Sequence, residues 1–461
     1  MKNQNTANPD FYKNSNAWLD KPAGYQAAVF SYAQEYSDFL GKYKTEREIT
    51  AFLSEARAGM LESEHINAFT PSTCTSYFFR HKTAAFVRIP SKTNIKKPVL
   101  FRIICSHIDS PRLDLKPHPL IEESSLLLMK THYYGGIKKY QWAGIPLELR
   151  GIICTEKNII DVRNLFSGEI PRFIIHELPV HLSSEQLKKE GSKVVEGEEM
   201  TALAGHIPVS DEEQAIKTGI LDIFKKNGIY EKNLLYSELC LVPAVLPCSV
   251  GFDHGLIAGY GHDDRACAWA EYRAFLDAEK NDHINIALWV DKEETGSAGD
   301  TGAQSVFIDY IYEKIIEKNF PGLSLHEARM RTEVLSADVT AALDPNNKQS
   351  FDAENSSLAG CGVSIEKYGG RSGKYGSHDA PAEYMHKIVS LLDQKKISWQ
   401  TGELGKIDLG GGGTVAMFFA RNGSQVIDAG PPVLGLHSPV ETASKADLFE
   451  TKNAYQAFFS E

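Results

Sequence analysis

The sequence predicts an α/β fold in which a mixed, largely parallel sheet flanked by helices is interrupted by an inserted, β-rich region. Three observations predict it. Apolar, β-branched runs of strand length alternate with helix-favouring stretches on both sides of a central region. Several of those runs stop abruptly at acidic residues or histidines, which is how a strand reads when its carboxyl end faces a ligand. Between residues 116 and 249 the alternation gives way to short β-like runs and frequent turn signals.

Size and composition fit such a fold. A chain of 461 residues with 42% hydrophobic content can bury a large core and suggests two or three domains. The formal charge of −11 argues against nucleic acid or an anionic membrane as the main partner, because both need basic patches. The polar start, MKNQNTANPDFYKNSN, lacks the apolar core of a signal peptide, and no run approaches the ~18 apolar residues of a membrane span. A soluble, cytoplasmic protein is expected. Seven dispersed cysteines without a CxxC pair read as reduced thiols.

Taken in order, residues 24–60 place Val29, Tyr32, Tyr36, Phe39 and Leu40 at helical spacing and predict two packing helices broken near Thr45. Residues 85–89 predict a strand. Residues 98–107, PVLFRIICSH, predict another, which runs into His107, Asp109 and the ladder-breaking Pro111. Within the central region the β-like runs are 126–130, 147–154 and 173–175, and a helix is expected over 213–226. The charge-rich segment 183–200 predicts a mobile surface loop. Beyond it, Asp263 and Asp264 fall in the N-cap region of a helix over 266–280. Ile286, Ala287, Leu288, Trp289 and Val290 predict a buried strand ending in Asp291, Glu293 and Glu294, with a turn at Gly296. A helix over 304–318, a strand over 333–338, a Gly-rich turn region over 359–377, and helices over 382–395 and 446–459 complete the chain.

The polar residues that end apolar runs are His107 and Asp109, Asp263 and Asp264, Glu293 and Glu294, Asp338, and His437. Singly, each has an ordinary reading as a structural histidine, a helix cap or a solvated acid. Gathered along one sheet edge, two imidazoles and several carboxylates without a thiolate suit zinc, with manganese or cobalt in its place. Two ions about 3.5 Å apart need a bridging carboxylate and further ligands, and this set supplies them with one glutamate to spare. Coordination lowers the pKa of a bound water from about 15.7 to about 7, and a free carboxylate can then take its proton. That is the chemistry of hydrolysing a polarised carbonyl.

Other motifs carry less. In His176-Glu177-Leu178-Pro179-Val180-His181 the histidines are five apart rather than four, and Pro179 breaks the helix a zinc-protease motif needs. Gly410 to Gly413 lack the Lys-Ser/Thr of a phosphate loop; they read as a close backbone approach, an oxyanion-side turn or a plain loop. There is no GxSxG elbow.

The order and wording of several segments resemble the M18 family of aminopeptidases, the aspartyl aminopeptidase and aminopeptidase I group within the co-catalytic zinc peptidase clan. They are SHIDSPRLDLKP from Ser106, YGG from Tyr134, GHDDRAC from Gly261, DKEETGS from Asp291, LSADVTAALDPN from Leu335, the GGGGT turn, and LGLHSPVE from Leu434. The resemblance implies that His107, Asp263 and Asp338 hold one zinc ion and Asp263, Glu294 and His437 a second. It further implies Glu293 as general base and Asp109 as the residue orienting His107. Asp263 is preferred to Asp264 as the bridge because the family has an Asp-Asn pair whose first member is the ligand. The implied architecture is a catalytic domain from 1–115 and 250–461 with a β-rich dimerisation domain at 116–249. Dimers would assemble into a dodecamer, and His181 would reach a neighbouring subunit's site.

Residues 137–142 and 366–380 depart from the family's usual wording, which leaves the preferred side chain open; Arg371 or Lys374 would be able to pair with a substrate carboxylate. The expectation is a metallo-aminopeptidase acting on small peptides with a free N-terminus. A two-metal deacylase of N-acyl amino acids would use the same water, and an inactive shell of the same fold would lack ligands, of which none is missing.

Overall fold

The computed structural model describes residues 14–62, 74–90, 98–166, 168–279 and 281–461. At its centre is an eight-stranded sheet made of Cys74–Phe79 (β1), Thr83–Arg88 (β2), Phe101–His107 (β3), Ile284–Val290 (β4), Thr332–Ala337 (β5), Val363–Glu366 (β6), Trp399–Thr401 (β7) and Gln425–Gly430 (β8). Their spatial order is β1-β2-β4-β3-β5-β8-β6-β7. The four middle strands, β4, β3, β5 and β8, are mutually parallel, while β1, β2 and β6 join their neighbours antiparallel on the way out to the edges.

The near-continuous apolar wording of β3 and β4 follows from burial on both faces, since every residue of each is buried. Alternate residues serve different layers. Ile104, Ala287, Trp289, Leu335 and Ile427 pack on one face under Tyr25–Lys42 (α1), Glu46–Glu62 (α2), His262–Asp277 (α3), Ala382–Lys395 and Lys445–Ser460. Ile103, Cys105, Ile286, Leu288, Val334 and Val426 pack on the other, under Phe307–Asn319 and Ala416–Arg421. The parallel register leaves the carboxyl ends of β3, β4 and β5 side by side, so His107, Asp291 and Asp338 emerge along one edge.

Two further sheets adjoin that edge. A six-stranded antiparallel sheet takes all its strands from Arg112–Glu123 to Glu238–Pro243 and has its own core, centred on Leu113, Trp142, Leu147 and Leu241. A small five-stranded sheet pairs Leu256–Gly259 with Glu441–Ser444 and the latter with Pro432–Leu434, which brings the turns holding Asp263 and His437 together.

Several expectations need correction. The run 173–175 makes only isolated bridges, Phe173 to Leu147 and Ile174 to Leu203, because a short apolar run also fits a buried loop. The charged segment 183–200 does lie at the surface, as a mostly exposed chain of short 3-10 turns in which Val195 and Met200 are buried. Strands β6, β7 and β8 had no periodic signal; β6 lies inside the region read as Gly-rich turn. Helix α3 ends at Asp277, and Lys280, its expected end, lies outside the described residues, as do residues 1–13. Among the described residues no helix is long and apolar enough to cross a membrane.

Gly430 closes β8 against β5: a Cβ there would lie 1.9 Å from the Asp338 carbonyl oxygen and 3.2 Å from Cys267 Sγ. Gly430→Ala is therefore expected to cost about 1–3 kcal/mol or more and to lower the melting temperature. A variant melting with the wild type would show that this contact does not constrain the edge.

Candidate metal centre

Strand β3 delivers His107 at its last position, almost wholly buried, and the chain beyond turns back so that His107 Nδ1 sits 3.0 Å from the Asp109 carbonyl oxygen and 3.3 Å from Asp109 Oδ1. Asp109 also ties down the neighbouring strand's exit. It accepts the Tyr134 hydroxyl at 2.7 Å and the backbone N–H groups of Glu293 and Glu294, each at 3.2 Å. One buried carboxylate thus sets the imidazole and the acidic pair together.

The turn after β4 is held by Asp291, for which sequence offered no role. Its two oxygens accept the Lys292 N–H at 2.8 Å and the Thr301 hydroxyl at 2.7 Å. Lys292 (φ 73°) and Gly296 (φ 94°) reverse the chain on either side of Glu293 and Glu294. The YGG motif closes the site from the six-stranded sheet: a Cβ on Gly135 would fall 2.9 Å from Glu294 Oε2, and the Gly136 carbonyl oxygen lies 2.7 Å from His437 Nδ1. Glu441 clamps the small sheet, accepting the Asp263 N–H at 3.1 Å and the His437 N–H at 2.8 Å.

Asp263 stands between the two imidazoles. Its Oδ1 is 3.0 Å from His107 Nε2 and its Oδ2 is 3.1 Å from His437 Nε2. Asp338 Oδ1 lies 3.8 Å from His107 Nε2, and Glu294 Oε1 lies 3.6 Å from His437 Nε2. Grouped by distance alone, the side chains form two sets, His107 with Asp264 and Asp338, and Asp263 with Glu294 and His437, each within 4.8 Å. The first set takes Asp264 where Asp263 was expected. The ion-pair distances favour Asp263, which has one oxygen toward each histidine, whereas Asp264 makes no ion pair with either histidine and both its oxygens are buried without a hydrogen-bond partner.

The electrostatics are those of crowded acids. Burial pushes Glu293 up to about 8, against His107 and with help from Asp338 and Asp109. Burial and Asp263 hold Glu294 well above the usual carboxylate range. Burial likewise raises Asp338 to about 6. Asp263 goes the other way, because His107 and His437 outweigh its burial. On the imidazoles burial works against charge, but the carboxylates win and raise His437 to about 11. The donor set fits a divalent cation on an observation independent of charge: Asp263 Oδ1 and Glu294 Oε1 are buried without an aligned hydrogen-bond donor, a costly state for isolated carboxylates.

Asp263, Glu293, Asp338 and His437 open onto a cavity of about 600 Å³, also lined by Lys138, Thr340, Glu366 and Gly411 to Gly413. The glycine run is a close backbone approach, because Gly411 pairs with Arg371 and a Cβ on it would fall 2.1 Å from the Gly370 oxygen. His181 does not join this group; it lies exposed in a 3-10 turn of the central region.

Residues 39–459 match the family model for aminopeptidase I zinc metalloproteases (M18). The chain is 40% identical over 459 residues to a probable M18 family aminopeptidase 1 of Clostridium acetobutylicum, covering 96% of this chain and 98% of that one. The crystal structure of an M18 aminopeptidase from Thermotoga maritima superposes with a TM-score of 0.88 at 38% identity, covering 98% of this chain and all of that one. The fold is shared more distantly with the S. cerevisiae mApe1 dodecamer, at 18% identity over 94% of this chain and 97% of that one, with a TM-score of 0.73.

Unpartnered buried oxygens predict a thermal response to metal. Adding Zn²⁺ to chelator-treated protein is expected to raise the melting temperature, by about 2.7 kcal/mol of stability at a hundredfold excess over Kd. His437→Ala is expected to lower bound metal as well. An unchanged melting curve, or full metal content in that variant, would contradict this donor set.

Proposed function

The chain belongs to the M18 family of zinc metallo-aminopeptidases, and we propose that it removes N-terminal residues from small peptides at the cavity beside His437, using two zinc ions and Glu293 as general base. The position of Asp263, one oxygen toward each histidine, is the observation that carries the two-ion reading. His107, Asp263 and Asp338 would hold one ion, and Asp263, Glu294 and His437 the other. Bound zinc supplies Lewis acidity, which lowers the pKa of water and polarises the scissile carbonyl.

The remaining work falls to the protein's own groups. Glu293 lines the cavity and, of the acidic pair, is the one not within ion-pair distance of a histidine. It takes a proton from the attacking water as the new C–O bond forms. It then passes that proton to the amine nitrogen as the C–N bond breaks, so the products are a free amino acid and a peptide one residue shorter. Asp109 contributes by orientation, since it holds His107 and the backbone of Glu293 and Glu294 at once.

Residues 116–249 form the proposed dimerisation domain, inserted into a catalytic domain of 1–115 and 250–461. Exposed Val180, Leu182, Leu187, Ile207 and Val209 support an interface there. The dodecamer named for the yeast relative is the assembly proposed for this chain, with His181 supplied to a neighbouring subunit's cavity and folded proteins kept out. The proposed compartment is the cytoplasm.

Glu293→Gln is expected to keep its metal while kcat falls roughly 10²- to 10⁴-fold. Unaltered turnover would remove Glu293 as the base. The wild type is expected to release the first residue of a free-amine peptide and leave its N-acetylated form intact; the opposite preference would mark a deacylase.

A further inference from the structure

One wall of the cavity is not used by the metal centre, and its chemistry is specific. Glu366, the last residue of β6, lines the cavity two strands beyond β5, which carries Asp338 at its exit. At about 4.8 Å per strand the backbone of Glu366 lies roughly 10 Å from that of β5 along the sheet edge. The Thr340 hydroxyl donates to one of its oxygens. Among the described residues no lysine or arginine forms an ion pair with it.

Its charged surroundings are acidic. Burial and the nearby Asp428, Asp338 and Glu403 push the Glu366 carboxyl up to about 8, against the Thr340 hydrogen bond. Of the cations that line the cavity, His437 faces Asp263 and Glu294, and Lys138 is solvent-exposed. The two cations that sequence offered to a substrate carboxylate do not line this cavity. Lys374 pairs with Asp379 at 2.9 Å, and with Arg371 it borders a small neighbouring pocket.

We propose that Glu366 is a specificity residue which receives the cationic end of an N-terminal lysine or arginine side chain, so that peptides beginning with a basic residue are preferred over neutral and acidic ones. This rests on the aminopeptidase function proposed above. The α-ammonium of a substrate stays within about 2.5 Å of the scissile carbonyl carbon beside the metal ligands, whereas the backbone of Glu366 lies two strands away, so the longer reach of a side chain is the better match. A lysine side chain extends roughly 6 Å beyond its Cα and closes that gap with a charge-assisted hydrogen bond; a leucine stops well short. Gly369 and Gly411 to Gly413 line the same cavity and put no side chains into it.

The test compares kcat/KM for Lys-, Leu- and Asp-p-nitroanilides with the zinc-loaded full chain, its Glu366→Gln variant and its Glu366→Lys variant. The wild type is expected to favour Lys over Leu by roughly 10-fold or more. Glu366→Gln should bring that ratio close to one, and Glu366→Lys should shift preference toward Asp. A wild-type ratio of one or below, or a ratio that Glu366→Gln does not move, would overturn the assignment while leaving an aminopeptidase. Failure to cleave any anilide would count against the aminopeptidase function itself. In that case calorimetry with L-lysine and L-norleucine decides on Glu366: tighter lysine binding lost in Glu366→Gln supports it, and equal binding overturns it.

Discussion

The structure depends on an electrostatic problem: Asp263, Asp264, Glu293, Glu294 and Asp338 are drawn into one recess with only two imidazoles to balance them. Like charges at this density are unstable unless protons or cations neutralise them, and the buried oxygens of Asp263 and Glu294 lack aligned donors. The proposed pair of divalent ions would resolve both difficulties. The surrounding fold can be understood as the apparatus that keeps these acids close while denying them other partners.

That apparatus draws on three sheets. The parallel core, apolar on both faces, aligns the exits of β3, β4 and β5. The small sheet carries Asp263 and His437 on adjacent turns, with Glu441 accepting a backbone N–H from each. The six-stranded sheet reaches in through Tyr134 to Asp109 and through Gly136 to His437. A shift between any two of these sheets would change the ligand geometry, which explains why glycine stands at Gly135 and Gly430, where backbone and side chains leave no room for a Cβ. The proposed chemistry and the proposed selection share one cavity at different places: the acids that face histidines come from the exits of β3 to β5 and from the small sheet, while Glu366 lies two strands beyond β5.

Much of this was legible in the sequence because long buried strands and amphipathic helices carry strong periodic signals. The helix over 382–395 and the strand ending at Val290 are found where the pattern put them. The acids and histidines were visible for the same reason, as polar stops to apolar runs. Strands such as β6 and β7 and the small sheet were not visible, since runs of two to four residues have no period and owe their conformation to neighbours distant in the chain. Asp291 and Glu441 were opaque for a related reason: their partners are Thr301 and the backbone of Asp263 and His437, pairings fixed only by tertiary structure. Glu366 lay in a stretch read as turn, so its entry into the cavity required knowing that β6 sits beyond β8.

The most direct measurement is a crystal structure of the zinc-soaked protein with anomalous data at the zinc edge, paired with metal analysis of the same sample. Two sites per chain, about 3.5 Å apart and both within coordination distance of Asp263, is the predicted result. A single site, or two sites joined through Asp264 with Asp263 turned away, would contradict the bridging role on which the proposed mechanism depends.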